Sequence, residues 1–263
     1  MLRPTTTGPI TPIGRQCSNM IREFLLQALT FVLPPQCLLC RDGPEWRHGL
    51  CQRCWQSLPA NHPACPRCAL PMPRPLLCGT CQRRPPPFDR VIAPLRYQEP
   101  VDQMLCALKY REQLAFGRTA AGLIVDRVNA LAVPLPDLLI AVPMTARALR
   151  KRGLNQAAFI ARRVGRPLGI PVPPGWVYKV RQTERQSTLN ARERQRNLAG
   201  AFQSKKRLDG KRVAVVDDIL TTGSTVSELT TVLKTAGAAH VDIWVCARTP
   251  EVLPLHPSHG DGV

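Results

Sequence analysis

Aromatic residues are scarce in this chain of 263 amino acids, and acidic residues are far outnumbered by basic ones. Phe, Trp and Tyr together make up 5% of the sequence. Few rings are therefore available for the stacking of successive nucleic acid bases, which argues against tight, sequence-tolerant binding of single strands. The 18 Asp and Glu residues are set against 36 Lys and Arg, a net charge of +18. A charge of this sign and size favours contact with polyanions.

Long hydrophobic runs are also missing. No stretch approaches the ~20 apolar residues that a membrane-spanning helix needs. Residues 1–16 are rich in Thr and Pro and lack the charged start, apolar centre and cleavage site of a secretory signal. We therefore expect no membrane span and a cytoplasmic location. The hydrophobic content of 44% nevertheless supports a core, and the length accommodates one α/β domain plus a smaller module.

The excess of positive charge is concentrated in one part of the chain. Residues 143–212 contain 18 Lys or Arg and three acidic residues, a balance of +15. Such a field attracts a pyrophosphate-bearing ligand or a nucleic acid backbone. A solvated surface with no ligand is the alternative interpretation.

Cysteines are abundant and regularly spaced. Eight of the eleven form four Cys-x-x-Cys pairs. These are Cys37 and Cys40, Cys51 and Cys54, Cys65 and Cys68, and Cys78 and Cys81. Two such knuckles supply four thiolates to one tetrahedral ion, so the spacing predicts two structural zinc sites whose binding energy substitutes for a hydrophobic core. Sequential pairing is the simplest arrangement, while interleaved pairing and redox-active cysteines remain open.

The other cysteines and the nearby histidines have no place in these two sites. Cys17, Cys106 and Cys246 are predicted to be unpaired thiols, because the eight paired cysteines already complete both metal sites. For the same reason His48 and His62 are predicted to be surface residues.

The chain divides into four predicted segments. Residues 1–33 form an extension with an amphipathic helix at 19–33, and residues 34–84 form the double zinc ribbon. Residues 85–250 form an α/β domain, and residues 251–263 form a flexible tail. Strands predicted at 90–97, 137–142 and 240–246 alternate with helices, which indicates a mostly parallel sheet flanked by helices. Ligands of such sheets gather at the carboxyl ends of the strands.

Residues 213–225 carry the most specific pattern, Val-Ala-Val-Val-Asp-Asp-Ile-Leu-Thr-Thr-Gly-Ser-Thr. Residues 213–216 predict a buried strand, with Asp217 and Asp218 at its carboxyl end and a helix beginning near Ser224. Small residues let backbone N–H groups approach a phosphate, and the helix start adds its positive dipole end. The aspartates can accept hydrogen bonds from vicinal sugar hydroxyls or help to place a metal ion. An ordinary strand-to-helix turn is the alternative.

These thirteen residues resemble the phosphoribosyl pyrophosphate signature of type I phosphoribosyltransferases. The resemblance implies that Asp217 and Asp218 are the catalytic pair, which holds the ribose hydroxyls and orients a Mg²⁺ complex of the substrate. It also implies a phosphate-binding turn. That turn comprises Thr221, Thr222, Gly223, Ser224 and Thr225.

The basic segment after the strand at 137–142 predicts a flexible loop that leads into a helix. In a type I transferase the loop at this place binds the pyrophosphate leaving group, which Arg side chains can engage bidentately. The residues concerned are Arg147, Arg150, Lys151, Arg152 and Gly153. The Arg-Gly-Leu-Asn-Gln run at 152–156, with Val-Pro ten residues earlier, resembles the ComF family of phosphoribosyltransferase-like proteins.

A second basic stretch, residues 179–202, also resembles that family. In the transferases the corresponding region holds a mobile loop that closes over the substrate, and a closed lid excludes water from the reacting centre. The predicted lid residues are Arg181, Gln186, Arg194 and Arg196. A solvated helix of mixed charge is the alternative interpretation.

The resemblance to the ComF family extends from about residue 33 to residue 250. It implies a double zinc ribbon with two Zn²⁺ ions, followed by a type I phosphoribosyltransferase-like domain that binds phosphoribosyl pyrophosphate and transfers or senses the phosphoribosyl group. The sequence does not decide whether the protein is an enzyme or which acceptor it uses. Family likeness alone implies a role in DNA uptake and competence, or in nucleotide metabolism.

A protein that binds single-stranded DNA is the alternative function, with phosphoribosyl pyrophosphate as a regulator or a vestige. Trp46 and Trp55 are then the candidate stacking residues, and other competence or recombination proteins are candidate partners. Three further expectations concern single residues. Thr225 and Glu228 form a capping box, His240 is structural, and Arg248 approaches the site as part of a hood over the acceptor.

Overall fold

The structure is a computed structural model that describes residues 36–180 and 200–250. Several predictions lie outside the described residues. They concern Cys17, the helix at 19–33, the lid residues Arg181, Gln186, Arg194 and Arg196, and the tail at 251–263. Within the described part of the chain, no helix is long and apolar enough to cross a membrane.

The cysteine-rich part contains two short helices, and strands and helices alternate in the rest. The short helices are α1 (Gln52–Gln56) and α2 (Gly79–Arg83). The following elements are β1 (Arg90–Ile92), β2 (Leu95–Arg96), α3 (Val101–Tyr110), α4 (Leu114–Leu131), β3 (Leu138–Ala141), α5 (Ala146–Arg152), α6 (Gln156–Leu168), β4 (Val177–Lys179), β5 (Phe202–Ser204), β6 (Arg212–Leu220), α7 (Ser224–Thr235) and β7 (His240–Arg248).

Five strands form one parallel sheet. Its order is β1-β7-β6-β3, and β2 pairs with the carboxyl half of β7. Every pairing in this sheet is parallel, so all five strands end at the same edge. β4 and β5 form a separate antiparallel pair. The predicted α/β class is confirmed.

Strand lengths differ from the predictions for local reasons. β6 runs for nine residues and includes both aspartates, because β7 pairs with it from Arg212 to Leu220. The strand predicted at 90–97 is divided into β1 and β2. Pro94 lies at the division and lacks the N–H group that a continuous ladder needs.

Helices cover both faces of the sheet. On one face, the face-A cluster contains the buried Leu105 of α3, Ile124 of α4 and Ile160 of α6. On the other face, the face-B cluster contains Leu229 and Leu233 of α7. Residues 213–216 of β6 alternate between the two clusters, as expected for a strand that is covered on both sides.

The two halves of the cysteine-rich segment contact opposite faces of the sheet. Leu39 and Leu58 of the first half pack against the face-A cluster. Cys68 and Ala69 of the second half pack with the face-B cluster. The ribbon and the sheet are therefore in direct apolar contact on both sides.

His48 is an anchor of the ribbon rather than the exposed surface residue that was predicted. Its Nε2 atom lies 2.8 Å from Asp126 Oδ2 on α4, and its carbonyl accepts a hydrogen bond from Thr119 Oγ1 at 2.6 Å. Arg47 donates to the same Asp126 carboxylate at 2.8 Å. The surface prediction was wrong because the partner carboxylate lies 78 residues further along the chain.

Two predictions around helix ends were also wrong. Glu228 does not cap α7 with Thr225, since its carboxylate accepts the N–H of Gly200 at 2.7 Å. The N-cap is Gly223, with φ of 80° and no side-chain hydrogen bond. The basic segment after β3 is not a flexible loop throughout: α5 occupies its centre, capped by Thr145 and ended by Gly153 at φ of 69°.

Candidate functional site

The eight paired cysteines form two clusters of four. Cys37, Cys40, Cys51 and Cys54 make the first, and Cys65, Cys68, Cys78 and Cys81 make the second; in each, all sulfur atoms lie within 4.8 Å of one another. Cys40 and Cys51 Sγ are 3.7 Å apart, and Cys68 and Cys78 Sγ are 3.6 Å apart. A tetrahedral zinc ion with Zn–S bonds of about 2.3 Å separates its sulfurs by about 3.8 Å. The donor set fits zinc, and sequential pairing is confirmed.

Each cluster holds one thiol that ionises readily. Burial by itself raises the pKa of Cys37, but hydrogen bonds from the backbone N–H groups of Cys51 and Cys40 outweigh it and lower the pKa to about 6. The same balance at Cys65 lowers its pKa to about 7. The thiolate is the form that binds a metal, so the backbone prepares both clusters for Zn²⁺.

The unpaired thiols are confirmed where they are described. Cys106 and Cys246 are both free. Cys246 is fully buried in β7, and burial, followed by the nearby Asp218 charge, raises its pKa to about 12. A thiol held in its protonated form is inert, so Cys246 is a packing residue.

The two aspartates lie near the end of the central strand β6. On one side of it, Val245 of β7 is the register partner of Asp217. On the other side, Val142 donates its N–H to Val216 O at 3.0 Å, directly before the basic segment begins. The aspartates therefore lie at the sheet edge where ligands of parallel sheets bind.

β6 is irregular at the aspartate pair. Val215 packs in the face-B cluster and Val216 in the face-A cluster. If residues continued to alternate between the faces, Ile219 would lie on face B. Ile219 packs against face A instead. Each carboxylate accepts the N–H of the following residue, Asp217 Oδ1 at 2.9 Å and Asp218 Oδ1 at 2.8 Å. The pair is thus held by its own backbone.

Asp217 is the electrostatically strained member of the pair. Burial and then the negative charge of Asp218 raise its pKa well above the usual range of a carboxyl group. A carboxylate in this position gains from any ligand that brings hydroxyl donors or positive charge.

The hydroxyl-rich turn joins β6 to α7. Thr221 and Thr222 are exposed, and the next three residues are partly buried. Thr222 Oγ1 lies 3.0 Å from Ser224 Oγ, and the two hydroxyls share a hydrogen bond. Because Gly223 provides no side-chain cap, the first turn of α7 presents backbone N–H groups and a positive dipole end to an anion.

The predicted pyrophosphate residues lie on α5. Arg147, Arg150 and Lys151 are exposed, and Arg152 is partly buried. None of the four forms an ion pair with another residue in 36–180 or 200–250. Their charge is therefore available to an anion.

Asn155 is a positioning residue that sequence reasoning did not single out. Its Nδ2 donates to Val142 O at 3.1 Å, and its Oδ1 caps α6 by accepting the N–H of Ala158 at 3.1 Å. It ties the start of α6 to the end of β3, on either side of α5. An Asn directly before an apolar helical pattern was the available signal.

The described residues that flank the segment predicted to be a lid form a strand pair and a hydrogen bond to α7. Its flanking strands β4 and β5 are paired, with Lys179 opposite Phe202. Gly200, at the carboxyl-terminal end of the segment, donates to Glu228 one turn into α7. The anchor points of the segment therefore lie next to the helix that carries the phosphate turn.

Arg248 does not extend over the site as a hood. It lies at the end of β7, where its Nη1 donates to Thr221 O at 2.7 Å and to Leu220 O at 3.2 Å. Its Nε donates to Cys68 O at 3.2 Å. The guanidinium therefore lies between the phosphate turn and the second cysteine cluster.

Two family models match the chain. A double zinc ribbon domain matches residues 28–82, and a phosphoribosyl transferase domain matches residues 124–256. The parallel sheet, the aspartate pair and the two cysteine clusters agree with these matches. Fold and site define a protein of the type I phosphoribosyltransferase-like class with an N-terminal double zinc ribbon.

Relatives that match over most of the chain identify the family. DNA utilization protein YhgH of Salmonella typhi is 34% identical over 223 residues, which cover 82% of this chain and 98% of the relative. Competence protein F of Haemophilus influenzae is 31% identical over 222 residues, which cover 81% and 96%. The chain belongs to the ComF family, as the resemblance in its sequence indicated.

Among solved structures, a purine phosphoribosyltransferase from Pyrococcus horikoshii is 18% identical. The match covers 52% of this chain and 90% of that protein, with a TM-score of 0.30. A TM-score this low adds no support, so the fold assignment rests on the sheet and the family models.

Proposed function

We propose that this protein binds the Mg²⁺ complex of phosphoribosyl pyrophosphate at the carboxyl edge of its sheet and transfers the phosphoribosyl group to an acceptor. The observation that carries the proposal is the direct sequence of two carboxylates, a hydroxyl-rich turn and an uncapped helix start at that edge. Groups that bind sugar hydroxyls are thereby adjacent to groups that bind an anion, as recognition of a sugar phosphate requires.

Each group has a distinct role in this proposal. Asp217 and Asp218 accept hydrogen bonds from the ribose hydroxyls and orient the metal complex. The N–H and hydroxyl groups of Thr221–Thr225 bind the 5-phosphate. Mg²⁺ prefers carboxylate and phosphate oxygens, which fits this donor set, and when bound it neutralises charge on the pyrophosphate.

Transfer breaks the bond between the anomeric carbon and the pyrophosphate oxygen and forms a bond to the acceptor nucleophile. The bonding electrons leave with the pyrophosphate, whose charge the cations of α5 stabilise. The proposed enzyme is thus a pentosyl glycosyltransferase in nucleotide metabolism, and rate acceleration comes from positioning and electrostatics.

Calorimetric titration of the zinc-loaded protein with Mg²⁺ and phosphoribosyl pyrophosphate tests the proposal. The double variant Asp217→Asn, Asp218→Asn is expected to lose saturable binding. Asp209→Asn is the matched control, because its carboxyl is exposed and pairs with Arg207 away from the site. Equal binding by the wild type and the double variant, or no binding by either, contradicts the proposal.

A second candidate function is binding of single-stranded DNA. It is favoured by the cations of α5, by exposed Lys205 and Lys206 beside β5, and by relatives named for DNA utilization and competence. Trp55 contributes little, because it packs against the face-A cluster. Trp46, with 54% of its surface exposed, remains a stacking candidate.

Salt dependence tests this second candidate. Binding of a fluorescent oligonucleotide is expected to weaken steeply as ionic strength rises, since displaced counterions carry the affinity. Arg150→Gln should flatten that dependence, whereas Arg127→Gln on α4 serves as the matched control. An affinity that does not change with ionic strength contradicts electrostatic binding of the DNA backbone.

A further inference from the structure

Besides the carbonyl of its neighbour Thr249, Arg248 contacts backbone carbonyls in two distant parts of the chain. Leu220 O and Thr221 O lie where β6 joins the phosphate turn, and Cys68 O lies in the second cysteine cluster. The turn is fastened further by Thr249, whose N–H donates to Leu220 O at 3.0 Å. One side chain therefore connects a proposed zinc site with a proposed phosphate site.

The contacts at the turn fix the direction of its amides. A peptide unit is planar, and its C=O and N–H groups point in opposite directions. The carbonyls of Leu220 and Thr221 belong to the same peptide units as the N–H groups of Thr221 and Thr222. When both carbonyls accept hydrogen bonds from Arg248, both N–H groups point away from the guanidinium. Neither N–H has a hydrogen-bond partner within the described residues, so both are available to an anion.

The contact at the ribbon follows the same geometry. The carbonyl of Cys68 and the N–H of Ala69 form one peptide unit. That N–H donates to Cys65 O at 2.9 Å, within the turn that brings both sulfurs into the second cluster. Ala69 has a φ of 53°, a conformation that a non-glycine residue keeps only when its surroundings impose it. Zinc bound by Cys65 and Cys68 would therefore hold in place the carbonyl to which Arg248 donates.

We propose that Arg248 is a positioning residue that aligns the amides of Thr221 and Thr222 for a phosphate group and makes their alignment depend on zinc in the second cysteine cluster. The dependence is specific to that cluster. The first cluster contacts the opposite face of the sheet, through Leu39 and Leu58 against face A. The part of this proposal that concerns affinity rests on the proposed binding of phosphoribosyl pyrophosphate.

Backbone ¹⁵N relaxation tests the alignment without any ligand. In zinc-loaded Arg248→Lys the bidentate guanidinium group is lost while the positive charge remains. The order parameters of the Thr221 and Thr222 N–H groups are expected to fall from about 0.85, the value of rigid backbone, to about 0.6. Arg207→Lys is the matched control, since Arg207 is exposed and lies away from the turn. Both variants should retain two zinc ions and full hydrogen-exchange protection in β6 and β7.

Selective loss of zinc tests the link to the ribbon. Cys81→Ser removes a ligand of the second cluster, and Cys40→Ser removes a ligand of the first. The Cys81 variant should reproduce the lowered order parameters of Arg248→Lys at Thr221 and Thr222, and the Cys40 variant should leave them unchanged. If Cys81→Ser also loses hydrogen-exchange protection in β6, slow chelation of zinc from the wild type, followed by the same relaxation measurement, replaces it.

Calorimetry and zinc release supply the readouts that a purely structural role does not change. Arg248→Lys should bind phosphoribosyl pyrophosphate about tenfold more weakly. By reciprocity the ligand should raise the equilibrium affinity of the second cluster for zinc by a similar factor when Arg248 is present, and this effect should be lost in Arg248→Lys. Zinc release to a colorimetric chelator in the Cys40→Ser background reports that cluster by itself.

The outcomes separate this proposal from the proposed function. Unchanged order parameters at Thr221 and Thr222 in a folded, zinc-loaded Arg248→Lys variant overturn the positioning role. Equal effects of Cys40→Ser and Cys81→Ser overturn the specificity for the second cluster. Absence of ligand binding by the wild type, together with the expected relaxation results, refutes the proposed function but supports the role of Arg248.

Discussion

At the scale of single residues, Asp217 shows a conflict between stability and binding. Its carboxyl is held beside a second carboxyl near the end of a central strand, and burial followed by the Asp218 charge raises its pKa. A group arranged in this way destabilises the unliganded fold, because the folded state has to contain its charge at neutral pH. Such an arrangement is common where binding or catalysis requires it.

We therefore expect Asp217→Asn to raise the stability of the unliganded protein while it weakens ligand binding. The amide keeps the shape of the side chain and cannot ionise, so unfolding at pH 7 should require about 1 kcal/mol more. Chemical denaturation followed by circular dichroism measures the gain. Asp209→Asn, in which the lost carboxyl has a lowered pKa because of Arg207, should show no gain.

The stability gain of Asp217→Asn should become smaller as pH falls. The folded-state pKa of Asp217 lies above the unfolded value of about 3.9. The stability of the wild type therefore falls as pH rises from about 4 through the folded pKa, and the variant lacks this loss. The two proteins should be equally stable near pH 4. A gain that persists unchanged at pH 4 refutes the electrostatic explanation.

Sequence reasoning identified the aspartate pair, the hydroxyl-rich turn and the eight clustered cysteines because each is a short local pattern. The Cys-x-x-Cys spacing allows sequential and interleaved pairing, and the structure shows the sequential one. Arg248 and Cys68 are 180 residues apart, and no local pattern joins them. The capping box at Thr225 failed for the same reason, since Glu228 has a partner 28 residues away.

At the scale of elements, the contact of the first ribbon with α4 requires a residue without a side chain. A Cβ atom on Gly122 would lie 2.3 Å from His48 Nδ1, a distance that real contacts do not allow. His48 occupies this space with its ring against Trp55 and its Nε2 on Asp126. The lack of a side chain at Gly122 therefore allows the first ribbon to approach the surface of α4.

We expect Gly122→Ala to loosen the first ribbon although alanine favours helix formation. The methyl group displaces His48 and breaks its contact with Asp126, at a cost of about 1–3 kcal/mol. Zinc release from the first cluster to a chelator should accelerate, while β6 keeps its hydrogen-exchange protection. Asn129→Ala, an exposed site on the same helix, controls for helix propensity.

A double variant sharpens this test. His48→Ala removes the ring with which the new methyl group collides, so Gly122→Ala should cost much less in that background. Equal costs in both backgrounds contradict the role of Gly122 as the space for His48.

At the scale of the whole molecule, the two halves of the cysteine-rich segment pack against opposite faces of one sheet. The second half also reaches the proposed phosphate turn through Arg248. A division of the chain near residue 84 stays a prediction, and the apolar contacts of both ribbons with the sheet make its test informative. Metal binding and folding are linked in such modules, because the metal sites are not formed in the unfolded chain.

Removal of both zinc ions should therefore unfold residues 37–81 and leave the sheet folded but less stable. The sheet has its own core of β6, β7 and the helices on each face, so it does not depend on the metal for its existence. It does lose the apolar cover that Leu39, Leu58 and Ala69 provide, and its melting temperature should fall by about 5–10 °C. Circular dichroism during chelation, with exchange protection of β6 as the second readout, measures both effects. One cooperative collapse of ribbon and sheet would instead mean that they fold as a single unit and that the predicted boundary is wrong.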